Sequence, residues 1–300
     1  MAAPVTAPYV PSYASYTSYL TVNEFLAEPT GVDVSQLLPG VATAAAQNAV
    51  LTRLIARASS QADVSCHKIL AATLDVQSGE YQVKSDGTIR VTVDNTPLIQ
   101  VTDVKVGNMA GQLSSLSDLS GCRIGKKVVR VPVATFNSTF SLLSATPSRS
   151  GWLFADTTYV NGYAHTLTAA GSIAGAMSIQ VANPLGIFPG LPLTIYDGTA
   201  NGVNTEQVIV ASSYVSGTTI PLASPALNGH APGCSVSALP GFVREAVLSL
   251  STMLVKTRGS NSFVMPMGPG QAEHAAAQLP GAGEDYELAV SLLEPLRRVW

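Results

Sequence analysis

The sequence predicts an α+β protein: a helical core with an antiparallel β-sheet, plus an inserted all-β sandwich or barrel domain. Three observations lead to it. Two long segments, Thr43 to about His67 and Pro240 to Thr257, repeat apolar residues at helical spacing. Between them, runs such as Thr88-Ile-Arg-Val-Thr-Val alternate with a period of two, the pattern of a half-buried strand. From Ala164 to Leu239 the composition changes: Lys and Arg vanish until Arg244, and Gly, Ser, Thr, Ala and short β-forming runs take over. The strand-like segment from Thr157 to Tyr163 and the helix opening at Pro240-Gly-Phe-Val-Arg therefore read as neighbours separated by an insertion. The expected division is an extended arm over 1–19, a discontinuous core over 20–165 and 239–300, and an inserted β domain over 166–238.

The arm holds Pro4, Pro8 and Pro11 and four tyrosines, Tyr9, Tyr13, Tyr16 and Tyr19, with almost no charge, so no packed element fits it. It is either a loose tail or a strap whose tyrosines dock on a neighbouring subunit, since Tyr joins apolar area to a hydrogen-bonding end. A short helix starts at Thr21, which makes a capping box with Glu24 three residues on, and it stops before Pro29. The first long helix carries Leu51, Leu54, Ile55, Ala58 and Ala62 on one face and Gln47, Arg53, Arg57 and Gln61 on the other. Strands follow over Thr73 to Val83, Thr88 to Val93 and Leu98 to Val106, the first two joined by the hairpin signal Asp86-Gly87. Further strands over Arg123 to Val133 and Gly151 to Val160 complete an antiparallel sheet expected to pack on that helix.

Within the insertion, Ser178 to Val181, Leu193 to Tyr196, Glu206 to Val210 and Thr218 to Leu222 read as strands separated by turns. Pro240 to Thr257 resumes helical spacing with Val243, Ala246, Val247, Leu250, Met253 and Leu254. Residues 258–283 form a long irregular loop, and a last helix runs from Glu284 to about Leu293 with acidic residues in its first turn, as the helix dipole prefers.

Composition narrows the function. The chain of 300 residues is long enough for two domains and, at 46% hydrophobic residues, for a substantial core. Only 12% of residues are charged, about half the usual globular share. A surface so thinly charged resists self-association poorly, which favours a protein shielded within an assembly. The net charge of −3 argues against gripping nucleic acid along the whole surface, which needs clustered Lys and Arg. Passing DNA through a ring is compatible with it, and a mildly acidic wall would suit that task. Cys66, Cys122 and Cys234 are widely spaced and odd in number, so neither a disulfide framework nor a zinc site is expected. The start, Met1-Ala-Ala-Pro, lacks a basic and then apolar leader. No apolar run approaches the roughly 20 residues that span a bilayer. Synthesis in the cytoplasm and no membrane partner are the expectations.

No catalytic constellation is legible. His67, His165, His230 and His274 fall in different elements and make no metal pair at helical spacing. Cys66 and His67 are adjacent and splay apart on a helix. Gly268-Pro-Gly270 lacks the strand and third glycine of a phosphate cradle, and Glu284, Asp285 and Glu287 are explained by a helix start. Neither an enzyme nor a cofactor is expected.

With 166–238 set aside, the remaining chain resembles the head-to-tail adaptor (connector) proteins of tailed bacteriophages. The likeness is carried by Ser18-Tyr-Leu-Thr-Val-Asn-Glu-Phe and by the helix Leu51-Thr-Arg-Leu-Ile-Ala-Arg-Ala. It continues in Ile89-Arg-Val-Thr-Val leading to Pro97-Leu-Ile-Gln-Val-Thr-Asp-Val-Lys-Val, Tyr159-Val-Asn-Gly-Tyr, the Pro240-initiated helix and the closing Leu292-Leu-Glu-Pro-Leu-Arg-Arg-Val. Each piece is weak alone; their order and spacing are more specific. The inserted β domain departs from the minimal family pattern.

The resemblance implies a helical adaptor core and a virion protein of the neck: a ring of twelve copies between the portal and the next neck or tail-completion protein. Genomic DNA would pass through its channel without sequence-specific contact. A closed ring repeats one heterologous interface, which hides a weakly charged surface. Tyr9, Tyr13 and Tyr16 of the arm, and Arg53, Arg57, Arg244 and Arg258, become candidates for that interface. Arg297, Arg298 and Trp300 become candidates for docking on the portal or the next ring, because Arg and Trp are enriched where interfaces carry energy. The other reading is a carbohydrate-binding or tail-associated β module acting through the insertion. An aromatic content of 6%, with no tryptophan between Ala164 and Leu239, counts against it.

Overall fold

The computed structural model describes residues 17–34, 37–38, 43–133, 151–198, 204–257 and 282–297. Strand residues outnumber helix residues, and the strands form four antiparallel sheets beside four α-helices among the described residues. The expected α+β fold built on a helical adaptor core is thereby corrected: the protein is mostly β. The described residues fall into two compact units, 72–163 and a second that combines 17–71 with 164–297.

The first unit is all β. Its strands are β1 (Thr73–Gln82), β2 (Thr88–Thr92), β3 (Leu98–Met109), β4 (Gln112–Ser115), β5 (Arg123–Ile124), β6 (Val128–Pro132) and β7 (Trp152–Asn161). They form two sheets, ordered β1-β7-β3-β4 and β2-β6-β5. The Asp86-Gly87 turn exists: Asp86 Oδ1 accepts the Thr88 N–H at 3.1 Å, and Gly87 takes a φ of 72° that suits a residue without Cβ. It does not make a hairpin of β1 and β2, however: they belong to different sheets, and β1 pairs along its whole length with β7, from Thr73 opposite Asn161 to Gln82 opposite Trp152.

The reason for the correction lies in which surfaces close on each other. Alternate residues of β2 and β6, namely Ile89, Val91, Val129 and Val131, are buried in one cluster with Val104 and Val106 of β3 and Ala155 and Tyr159 of β7. Sheet packs on sheet, each buried Val or Ile contributing about 2 kcal/mol, and the period-two pattern is satisfied inside the unit.

The second unit holds α1 (Val22–Ala27), α2 (Ala44–Cys66), α3 (Gly241–Lys256) and α4 (Ala282–Leu293), with a 3-10 turn over Glu294–Leu296. Between α2 and α3 in sequence lie β8 (His165–Leu167), β9 (Ser178–Gln180), β10 (Pro192–Tyr196), β11 (Glu206–Ile209), β12 (Thr219–Pro221) and β13 (Ser235–Ser237). Thr21 caps α1: its hydroxyl oxygen accepts the Glu24 N–H and its hydrogen goes to Glu24 Oε1 at 3.0 Å. Helix α2 ends where His67 turns left-handed, φ 54°. Its face of Leu51, Leu54 and Ile55 meets Val243, Val247 and Leu250 of α3 and Leu293 of α4 in one core, and Lys256 on α3 is paired with Asp285 on α4 at 2.7 Å. The short strands order as β11-β10-β13-β8 and β12-β9 around Ile179, Leu193, Ile195, Ile220 and Val236. Strands β8 and β13 pair Ser237 with His165 and Ser235 with Leu167, so the stretch whose composition changes is zipped shut at its own two ends.

The segment before α1 joins these parts. Tyr19 is buried; its hydroxyl donates to Asp63 Oδ1 at 2.6 Å and accepts the N–H groups of Leu70 and Ala71 at 3.2 and 3.1 Å. Its own N–H donates to Ser59 Oγ of α2. The Tyr19 ring meets His165 edge to face, centroids 5.4 Å apart. His165 Nε2 lies 2.8 Å from the Ser18 carbonyl, which can only accept, so that nitrogen carries the hydrogen and Nδ1 takes the Ser237 hydroxyl at 3.1 Å. Burial holds this imidazole down to about 4, outweighing the opposite pull of the Ser18 carbonyl.

Two outcomes are expected. Tyr19→Phe keeps the ring but leaves the Ala71 N–H without its acceptor and deprives the buried Asp63 carboxylate of a donor, and should lower unfolding stability in urea by about 2–3 kcal/mol. His165 has a folded pKa below its unfolded value of 6.5, so the unfolded chain takes up its proton first, and the stability present above pH 6.5 is lost as pH falls toward 4. Thermal melts over that window should show a loss of about 3 kcal/mol that His165→Asn removes.

Candidate functional site

Of the ten candidate interface residues, four are described: Arg53, Arg57, Arg244 and Arg297. Tyr9, Tyr13, Tyr16, Arg258, Arg298 and Trp300 lie outside the described residues. Arg53 and Arg57 are exposed on α2, and Arg53 Nε donates to the Ala49 carbonyl one turn back at 3.3 Å. Arg297 is exposed just beyond the 3-10 turn. Spacing of four residues puts Arg53 and Arg57 side by side on the solvent face of α2 because Leu54, Ala58 and Ala62 are turned into the core.

Arg244 is different, because its charge is spent within its own chain. It sits in the first turn of α3, with Nε 3.4 Å from Glu24 Oε2, Nη1 2.9 Å from Glu28 Oε1, and the guanidinium 4.7 Å above the Tyr196 ring of β10. One side chain thus links α1, α3 and the short sheet, using a planar cation that can pair and stack at once. Glu24 is 1% exposed. Burial pushes its carboxyl above the usual range, against the pull of the Ser235 and Thr21 hydroxyls and of Arg244. The packing there is close: a Cβ on Gly198 would strike the Asn23 carbonyl and the Glu24 N–H.

A second buried cluster escaped the sequence reading. His230 Nε2 lies 2.7 Å from Glu206 Oε1 and Nδ1 3.4 Å from Asp197 Oδ2, with the imidazole fully buried. Glu206 also accepts the N–H groups of Leu227 and Asn228 at 2.7 and 3.1 Å. Burial alone would raise the Glu206 carboxyl, but the Leu227 N–H, His230 and the Asn228 N–H together hold it below the usual range. Cys234 nearby is pushed up to about 11, by burial first and by the Asp197 charge next, so it is a thiol and not a thiolate at neutral pH. The signal was present: Asp197 and Glu206 are the only two carboxylates between Ala164 and Leu239, in a stretch without Lys or Arg. A buried histidine is what such carboxylates need.

Both nitrogens of His230 are engaged and shut off from solvent, so the cluster fastens the Leu227–His230 turn to β11 and offers no surface to a reactant. Among the described residues no group of three His, Cys, Asp or Glu is placed to hold a metal ion. No described helix is long and apolar enough to cross a membrane. No protein-family model matches the chain, and no curated protein matches it.

Removing Arg244 leaves Glu24 as a buried charge without its partner. Arg244→Ala is expected to cost about 3 kcal/mol in chemical unfolding, and the Arg244→Ala/Glu24→Gln double variant should recover a good part of it, since the uncompensated charge is then gone.

Proposed function

We propose that this chain is a structural protein of the tailed-phage virion, a ring of the neck that joins the portal to the tail and lets the genome pass through its channel. The role is assembly and not catalysis. Its partners are copies of itself, the portal, the next neck or tail-completion protein and the DNA in transit; it needs no cofactor.

The observation that carries the reading is where the quoted sequence segments meet. Ser18–Phe25, the helix begun by Leu51, the Pro240-initiated helix and the closing Leu292-Leu293 are scattered along the chain, yet Tyr19, Phe25, Leu51, Leu54, Val243 and Leu293 share one core. Four of the segments that resemble the adaptor family thus depend on each other for burial, while those around Ile89, Val104 and Tyr159 bury together in the first unit. The sparse surface charge agrees, as do Ile173 and Leu227, about 79% and 80% exposed on neighbouring turns joined through Ser172 and His230. A glycan-binding role has less to stand on. Of the three aromatic residues from Ala164 to Leu239, Tyr214 is buried, Tyr196 lies under Arg244 and Phe188 is partly exposed, which makes no stacking platform.

Negative-stain microscopy and native mass measurement of the full chain, alone and with its portal, test the ring. Closed rings of one size are the expected outcome, and Arg53→Glu/Arg57→Glu should shift them toward monomer if α2 faces the neighbouring copy. A chain that stays monomeric at every concentration with portal present would overturn the proposal.

A further inference from the structure

The three-stranded sheet of the first unit places like charges in a row. Arg130 on the central strand β6 stands directly opposite Arg90 on β2 and Arg123 on β5. Their neighbours Ile89, Val91, Val129 and Val131 are buried, so the alternation of the strands turns all three arginines to the exposed face. Facing residues of paired strands sit about 5 Å apart, so three guanidinium groups spring from a span of about 10 Å. Lys126 and Lys127, both exposed, occupy the turn between β5 and β6.

Like charges directly opposite each other destabilise a sheet. Here they recur twice in a sheet whose strands have five, five and two residues. Among the described residues none of the five cations makes an ion pair; the pairs lie at Lys105, His230, Arg244 and Lys256. Asp86 feels the charge of Arg90, yet its carboxylate is taken by the N–H and hydroxyl of Thr88. Asp118 is likewise held by the Ser120 N–H. From Asp118 to Asp156 the intervening sequence has no acidic residue and five basic ones. The row lines a shallow groove of about 360 Å³ whose remaining walls are Ile124, Gly125 and Val128.

We propose that this face binds the phosphate backbone of duplex DNA. A duplex carries one negative charge per ~1.7 Å of axis, so each cation of a 10 Å row finds a phosphate, and a guanidinium meets phosphate oxygens with two parallel N–H donors. No Asn, Gln, Asp or Glu lines the groove to add base selectivity beside the arginines, and the contact assigned is with the backbone. A membrane surface fits less well because no aromatic residue lines the groove to enter the headgroup layer. An acidic protein partner fits less well because no aromatic residue or Met, the types enriched at protein interfaces, lines the groove. The proposal goes beyond the ring and does not rest on it, since a single chain carries the whole row.

Fluorescence anisotropy of the full chain with a labelled 30-base-pair duplex, titrated from 50 to 200 mM NaCl, tests it. The logarithm of affinity should fall against the logarithm of salt with a slope between about −2.7 and −4.5, for three to five phosphates neutralised. R90Q/R123Q/R130Q should remove about 2.7 of that slope, and K126Q/K127Q about 1.8. The arginine variant should melt at the same temperature as the parent or higher, because repulsion is relieved; should it fail to fold, the lysine variant in the turn carries the test. Duplex binding that neither variant weakens would overturn the proposal, as would no salt-dependent binding. So would displacement of the duplex by polyglutamate at equal charge, or preference for phosphatidylserine vesicles over duplex.

Discussion

The Tyr19 hydroxyl is the point on which the second unit turns. It satisfies a carboxylate of α2 and two N–H groups of the chain leaving that helix, while its ring backs His165 at the base of the short sheet. Ser18 and Tyr19 also bind His165 and Ser59 through their main chain. A short, uncharged stretch thereby holds together a helix from residues 44–66 and strands from beyond residue 164. Few residues other than Tyr could do this, because the site demands a large apolar body and a hydroxyl that donates and accepts at once.

Charge is scarce in this protein and is used with corresponding economy of place. Arg244 joins α1, α3 and β10; His230 bridges the only two carboxylates of its stretch; Lys256 ties α3 to α4. Buried pairs of this sort add little net stability over an apolar replacement, but losing one partner is costly, so they penalise any arrangement in which the partners fail to meet. Against that background the arginine row on β2, β5 and β6 stands out as a cluster whose charges meet none of their own kind's complement among the described residues.

Helix boundaries were legible from sequence to within about two residues. Thr21 and Glu24 mark the start of α1, and apolar spacing over Thr43 to about His67 and Pro240 to Thr257 contains α2 (Ala44–Cys66) and α3 (Gly241–Lys256). Strand positions were partly legible: β2 and β7 lie within a residue of the expected Thr88 to Val93 and Gly151 to Val160, whereas the expected Arg123 to Val133 strand divides into β5 and β6, and β4, β8 and β13 were not expected. Pairing was not. The Asp86-Gly87 turn suggested β1 against β2, whereas β1 lies against β7, some 70 residues on, and helical segments were given a weight in the fold that the strand content does not support. The disposition of the charges was hidden for the same reason: Arg244 read as an interface charge until Glu24 and Tyr196 met it, and the three arginines were unremarkable until register aligned them.

What the sequence determined by itself is local: where each helix caps and stops, which strands alternate, where composition breaks, and that no dense field of charge covers the molecule. Those features depend on neighbours three, four or two residues away, and a chain records them directly. Only the tertiary structure decided that sheet closes on sheet, that the two ends of the Lys- and Arg-free stretch pair with each other, and which charges are spent and which remain open. Each of those outcomes joins residues tens to hundreds of positions apart, where the free energy comes from burying surfaces and pairing groups that have no mark on the sequence between them.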